Sequence, residues 1–488
     1  MRSLISALAV AALTGCGSDG GDDHRLDGDV ALDWSEWPDV STDDPADTPA
    51  DTVAEPDASG PGQFRFQLPS DVAGDMGIAV RVSYPGRDHA RHPEGAPVVV
   101  VAPGGLGGGT IRYEEPDPIT LSTGLVVVKF ILPGGFEPSH ASGGTYDYRG
   151  PLCKAGLRDV IAYASGAVPD DEGAYIEDRV EHADTTNLGI LALSHGGNLA
   201  LTTMADHPSD LDVVRFIAFF ESPIGDQYVT GELGLVDGDA DNPFYEPGTC
   251  TVETCPWPGT ADVLTWASSH ATRIDDPWTG LIWPINGVFY LDVDGNEAVG
   301  DTEFVIAGIP GPGEMREEGH LPYLYYSTEM ASILDGTLDT FFPLGKPVWM
   351  ASPDAIRDFW AERDGAPVIG DVSAAMGDLL VMVLGTVVDH AQVQPDHPHL
   401  HSNLQGWLDA SHVWVRLNPD AAYLALVSGE SVESIPENDA HQPLPWPDAE
   451  AALVPEDLEE HVVDAALLEL ADRVRAGETA ADLEDVLY

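Results

Sequence analysis

The stretch Ile190-Leu191-Ala192-Leu193-Ser194-His195-Gly196-Gly197-Asn198 decides how this 488-residue chain is read. An apolar run over 187–193 stops on a serine, and a helical pattern over 196–205 starts almost at once. Ala192 stands two residues before the serine and Gly196 two after it. So tight a strand-to-helix turn pushes the hydroxyl out of the sheet, because only small neighbours fit around it. The helix that begins there aims N–H groups and the positive end of its dipole at the same spot. A serine followed by two glycines can also do no more than cap a helix, so the surrounding pattern has to decide.

Working outward, 64–67 and 77–84 are expected to open the fold as a strand meander. The runs at 97–102 (PVVVVA) and 125–132 (LVVVKFIL) are almost continuously β-branched or apolar, as strands covered on both faces are. An amphipathic helix over 151–164 leads to the strand at 187–193, the helix at 196–205 and a further strand at 214–220. Strands alternating with helices imply an α/β protein with a doubly wound, mostly parallel sheet, which binds ligands at the carboxyl ends of its strands. The alternation stops over 224–345, which is rich in Gly, Pro, Asp and Trp and is expected to form an inserted cap over the site. It returns with a helix near 353–363, strands at 379–384 and 412–417, and an amphipathic C-terminal helix over 458–474.

The turn and this order of elements together resemble the α/β-hydrolase family, with Ser194 in the nucleophile position. Ala192 departs from the first glycine of the common G-x-S-x-G form, and Gly196-Gly197 is similar to the dienelactone-hydrolase and prolyl-oligopeptidase branches. The resemblance implies an α/β-hydrolase fold with a large inserted cap, in two core parts at 62–223 and 346–488 around the insertion at 224–345. In that family the loop after the third strand supplies one oxyanion N–H, usually just after a His-Gly pair. Here the loop is Pro103-Gly104-Gly105-Leu106-Gly107-Gly108-Gly109. Its register points to the Gly105 N–H, with the His195 N–H as second donor, and glycine lets backbone approach a tetrahedral oxygen closely. The rival reading, a phosphate-gripping loop, lacks a G-K-[ST] ending.

A serine nucleophile needs an imidazole base and a carboxylate to orient it. The resemblance implies an acid after the strand that follows the cap and a histidine after the last strand, and two registers fit. In the first, 379–384 is the acid strand, the turn 385–390 resembles the family's acid turn, Asp389 is the acid and His441 the base. In the second, 347–351 is the acid strand, Asp354 the acid and His390 the base, with the more usual spacing. Ser352-Pro353-Asp354 nevertheless reads as a helix start, and this favours Asp389 with His441. The cluster Asp396-His397-Pro398-His399-Leu400-His401 has the residue types of a metal site. Pro398 breaks its helical spacing, so a solvated helix start is expected there instead.

Composition narrows the partners. Twenty-one basic against 83 acidic side chains give a formal charge of −62, and three of the basic residues are lysine (Lys129, Lys154, Lys346). Nucleic-acid binding needs clustered Lys and Arg, and an anionic membrane face would repel such a surface. The expected partner is a small-molecule ester or peptide. Residues 1–16, MRSLISALAVAALTGC, place Arg2 before a short apolar run and end in a sequence that resembles a bacterial lipobox. Cys16 would then be lipidated, anchoring the protein in the cell envelope outside the cytoplasm without a spanning helix. Residues 17–61 form an acidic tether, with 14 Asp and Glu against Arg25 alone. Outside the cytoplasm Cys250 and Cys255 are expected to form a local disulfide, and Cys153 to be a buried small residue.

Within the insertion, 292–303 places oxygen side chains at positions 1, 3, 5 and 12 of an EF-hand-like loop. Asp292, Asp294, Asn296 and Glu303, with the Ala298 carbonyl, would hold a structural calcium ion. Glu297 replaces the turn glycine of such loops, and an acidic surface turn is the plainer alternative. No cofactor is expected for catalysis. The functional expectation is a lipid-anchored serine hydrolase acting on a carboxylic ester, since no propeller precedes the catalytic part. A peptidase of the prolyl-oligopeptidase type and a non-catalytic binding lipoprotein on a hydrolase scaffold are the alternatives.

Overall fold

The computed structural model describes residues 60–105, 107–113, 115–225, 281–285, 288–291, 304–310, 324–326, 351–389, 397–410, 414–432, 452–480 and 486–487. Strand β1 (Gly62–Ser70) turns into β2 (Gly74–Tyr84), its antiparallel partner. β3 (Ala96–Ala102) leads through helix α1 (Pro118–Thr123) to β4 (Val126–Phe130), with which it pairs in parallel. A small hairpin of β5 (Phe136–Glu137) and β6 (His140–Ala141) precedes α2 (Pro151–Ala164) and the single turn α3 (Ile176–Arg179). Then come β7 (Ala183–Leu193), α4 (Gly196–Asp206) and β8 (Val214–Phe220). The helices and strands read from 151 to 220 therefore form where their patterns placed them, within a few residues at the ends.

In the inserted region, β9 (Leu281–Ile285), β10 (Val288–Leu291), β11 (Phe304–Pro310) and β12 (Leu324–Tyr326) make a separate antiparallel sheet. The alternation resumes with α5 (Pro353–Ala361), α6 (Ile369–Ala375) and β13 (Leu380–Leu384). It closes with α7 (Pro398–Asp409), β14 (Val415–Leu417), α8 (Ala421–Ser428), α9 (Glu459–Arg475) and β15 (Val486–Leu487). The central sheet runs β1-β2-β4-β3-β7-β8-β13-β14-β15. From β4 to β15 every pairing is parallel, and β2 joins β4 antiparallel. This doubly wound order is that of an α/β-hydrolase fold.

Alternation along each strand divides the core into two layers. Val98, Val100, Ile190, Ala192, Ile217, Phe219, Val381 and Val383 point to one face and pack with residues of α2, α4, α6 and α7. Val99, Val101, Leu191, Phe216, Ala218, Leu380 and Met382 point to the other, against α8 and α9. The sheet is thus apolar on both faces, as parallel strands flanked by helices must be. Cys153 is fully buried on α2, and burial pushes its thiol well above the usual range.

Gly225, after β8, and Asp364, after α5, are tied together. Asp364 Oδ1 accepts from the Gly225 N–H (3.2 Å) and the Ala366 N–H (3.0 Å). Asn198, in the first turn of α4, donates to the Pro223 carbonyl (2.9 Å) and accepts from the Gly365 N–H (2.7 Å). The stem of the insertion is therefore hydrogen-bonded to the helix that follows Ser194. Cys16, Cys250, Cys255, residues 17–59 of the acidic tether and the calcium-like set Asp292, Asp294, Asn296, Ala298 and Glu303 lie outside the described residues. Among the described residues, no helix is long and apolar enough to cross a membrane.

Helix α9 carries Asp464, whose carboxyl burial raises to about 7, with Asp117 adding to the rise and a hydrogen bond from Ser122 opposing it. Between roughly pH 4 and 7 the folded state retains a proton that the unfolded chain has released. The residue's contribution to stability is complete below about pH 4 and is lost as the pH climbs through 7. Asp464→Asn is expected to melt higher than the wild type at pH 8 and to match it near pH 4, measured by calorimetry across that range.

Candidate active site

β3 sits between β4 on one side and β7 on the other, so the sheet winds outward in both directions from the β3–β7 pair. The carboxyl ends of these strands form the switch point where ligands of doubly wound sheets bind. Both motifs read from the sequence meet there. Ser194 follows β7 directly with φ of 48°, a left-handed conformation that costs a non-glycine residue about 1–3 kcal/mol. It is half-buried, and its N–H donates to the Phe220 carbonyl at the end of β8 (2.8 Å). The turn is held from the neighbouring strand, and the serine is not packed into the core.

Small residues are required around it because neighbouring backbone closes in on the turn. A Cβ on Gly196 would lie 2.3 Å from the Ala102 carbonyl oxygen, and one on Gly197 2.5 Å from Ser222 Oγ. A Cβ on Gly104 would lie 3.0 Å from the Leu193 carbonyl and 3.3 Å from Ser194 Cβ. The glycine loop therefore runs against the serine turn, backbone to backbone. Gly105 itself has φ of 62°, which suits glycine. Ala192, in place of the first motif glycine, is fully buried in register with Ala102 and Phe219, where its methyl group fits.

The strand after Ser194's own ends in a second left-handed residue. Glu221 has φ of 44° and is 1% exposed; its N–H donates to the Leu384 carbonyl and its carboxylate accepts from Thr386 Oγ1 (2.7 Å). Nothing in the sequence pattern marks a strained, buried glutamate. It ties the end of β8 to the loop after β13, the loop that carries Asp389.

Asp389 is fully buried and pairs with His399, Nε2 to Oδ2, at 2.8 Å. His399 is on the first turn of α7 and is also fully buried. This corrects the expectation of a solvated helix start over 396–401, since His397 and His399 are fully buried and His401 is 7% exposed. The cause is the inner face of α7, where Leu400, Leu404 and Trp407 enter the core and carry the histidines in with them. That i, i+4, i+7 spacing is present in the sequence and could have shown that this helix packs inward. Among the described residues, no group of three or more His, Cys, Asp or Glu side chains is arranged to hold a metal ion.

The two acid–base registers fare differently. Asp354 lies in the first turn of α5 with its side chain 90% exposed, paired with Arg357, while Ser352 caps the helix by accepting from the Ala355 N–H. That is the helix start the sequence suggested, and it corrects the register that made Asp354 an orienting acid: a solvated carboxylate does not hold an imidazole. His390 and His441 lie outside the described residues. The described partner of Asp389 is His399, from the helix between β13 and β14.

No family model matches the sequence, and no curated protein matches it. Among solved structures the chain is similar to esterase Est22, with 15% identity over 35% of this chain and 47% of that one, at a TM-score of 0.27. It is also similar to an esterase of Pyrobaculum calidifontis (19%, 34% and 46%, TM-score 0.23) and to a bacterial heroin esterase (17%, 36% and 49%, TM-score 0.25). The match spans about half the length of each of these proteins.

The close approach at Gly196 can be tested directly. Gly196→Ala must displace the Ala102 carbonyl and is expected to destabilise the fold by about 1–3 kcal/mol. Gly107→Ala, with open space where its Cβ would go, should leave stability unchanged. Urea midpoints of the two variants check the contrast.

Proposed function

We propose that the protein is a serine hydrolase that cleaves a carboxylic ester by two-step acyl transfer, with Ser194 as nucleophile. The observation that carries this reading is the left-handed turn at Ser194, set at the sheet's switch point against a glycine-rich loop. In this mechanism the hydroxyl attacks the ester carbonyl, and the N–H groups of His195 and Gly105 receive the developing negative charge. Asp389 orients the base.

The base in this proposal is His399 rather than the His441 expected from the sequence. An ionised carboxylate can only accept, so His399 Nε2 carries the proton donated to Asp389, and in this proposal Nδ1 serves as the basic nitrogen. That nitrogen takes the Ser194 proton, returns it to the leaving alcohol, and then activates water to release the acid. The usual triad uses the two ring nitrogens the other way round, but the proton bookkeeping is identical. The insertion between β8 and α5 would shape the acyl and alcohol pockets, with its loop 292–303 holding structural calcium. A lipid on Cys16 would place the enzyme in the cell envelope. Peptide cleavage remains the second chemistry open to the same groups.

A fluorophosphonate probe tests the nucleophile: the wild-type protein is expected to be labelled and Ser194→Ala to be blank. Histidine variants test the base. His399→Ala should lower kcat for p-nitrophenyl acetate about a thousandfold or more, whereas His441→Ala should change it little. The reverse pattern would return the base to His441 and leave Asp389–His399 as a structural pair. A wild type that neither labels nor turns over would favour the binding-scaffold alternative.

A further inference from the structure

Arg149 is 4% exposed, and its guanidinium touches the glycine loop from beneath. Nη2 donates to the carbonyls of Pro103 (3.0 Å) and Gly104 (2.9 Å). Among the described residues, no carboxylate forms an ion pair with it, and Nε and Nη1 are buried with no hydrogen-bond partner. Burying a cation this way is unfavourable for folding, since an unpaired charge and two unsatisfied donors are left in a poorly solvated place. The backbone around it is strained as well, with Tyr148 at φ of 54° and Arg149 at 66°. A second buried arginine holds that turn in place. Arg363, just after α5, donates from Nε to the Tyr148 carbonyl (2.8 Å) and from Nη2 to the Asp147 carbonyl (2.8 Å). The Asp147 carboxylate in turn accepts from the Leu152 and Cys153 N–H groups at the start of α2.

We infer that Arg149 is a positioning residue of the oxyanion hole, orienting the Gly104–Gly105 peptide and placing an uncancelled positive charge behind it. The inference rests on the serine-hydrolase reading and deepens it. A trans peptide sets its C=O and N–H on opposite sides. With the Gly104 carbonyl drawn to Arg149, the Gly105 N–H faces away from the guanidinium. Gly104 is the residue packed on Ser194 Cβ, so this is the peptide whose plane decides whether an N–H meets the reacting oxygen. The buried charge polarises the same peptide and opposes the negative charge that forms on the substrate. Both effects act on the tetrahedral state and leave ground-state binding almost untouched.

The test uses the full-length protein, p-nitrophenyl acetate as substrate, an alkylboronic acid as tetrahedral mimic and acetate as ground-state product. Arg149→Met and Arg149→Lys are expected to lower kcat about 10- to 100-fold, with KM and the inhibition constant of acetate changed less than threefold. The boronic acid should weaken by the same factor as kcat/KM, and millimolar guanidinium should restore part of the activity of Arg149→Ala. Arg363→Lys, which leaves the guanidinium of Arg149 intact, separates general loosening of the turn from loss of the clamp. An unchanged kcat in folded Arg149 variants would overturn the inference and spare the hydrolase reading. So would equal weakening of acetate and boronic acid, or a loss in Arg363→Lys as large as in the Arg149 variants. A wild type inert to both substrate and fluorophosphonate would overturn the hydrolase reading and this inference together.

Discussion

The close approach of two stretches of backbone, Ala102–Gly105 after β3 and Leu193–Gly197 after β7, is the contact on which the rest of the site depends. The contact leaves little room for side chains: Gly196 faces a carbonyl oxygen at a distance no Cβ can occupy, and a Cβ on Gly104 would press on Ser194. That contact fixes Ser194 in a left-handed conformation, and the Phe220 carbonyl accepts its N–H to keep it there. Strain of this kind persists only where the surroundings over-determine it. Here they do so from both sides, through the parallel pairing of β7 with β3 and with β8.

The acidic surface and the sparing use of cations become intelligible once the interior is considered. Arg81 and Lys129, opposite one another on β2 and β4, both bond Asp117, which also caps α1. Arg416 and Arg473 converge on Glu469, a fully buried carboxylate that binds α9 to the end of β14. Arg363 fastens the turn before α2. Several of the chain's few cations thus act inside, where each has defined partners and little water screens it. The outside is left to like charges that keep the protein solvated. Arg149 stands apart from this set, because among the described residues no carboxylate pairs with it, whereas Arg363 also pairs with Glu362.

Much of the core was legible in the sequence, because strands buried on both faces write themselves as unbroken apolar runs. PVVVVA and VRFIAFF need no context to be recognised. Ser194 was legible for a different reason: a tight turn restricts its neighbours to small residues, and that restriction is local. The partners proposed for the serine depend on which distant segments meet at the sheet's edge, and no local pattern encodes this. The position of Asp389 in the turn after β13 could be read by counting strands. The pairing of His399 with Asp389 could not, because the two stand ten residues apart in the chain and the proline beside His399 suggested exposure. Arg149 and Glu221 were invisible for the same reason, as their contacts are to backbone carbonyls and to a threonine far along the chain.

The end of β14 bears on the proposal of a base from α7. A histidine presented from just beyond β14 would have to start from Asn418. That residue is fully buried at φ of 67°, and its amide is committed in three directions. Oδ1 accepts from the Gly385 N–H, while Nδ2 donates to the Gly385 and Ala452 carbonyls. The Val454 and Val387 N–H groups complete a small bridge to the same loop. Together these bonds lock the turn after β13 against the segment leading into α9. Asp389, at the far end of that turn, has its carboxylate bonded to α7. The proposed base on the first turn of α7 would then be held by a helix packed into the core through Leu400, Leu404 and Trp407. Rigid support of this kind is what a proton relay requires, because its efficiency falls steeply with small errors in placement.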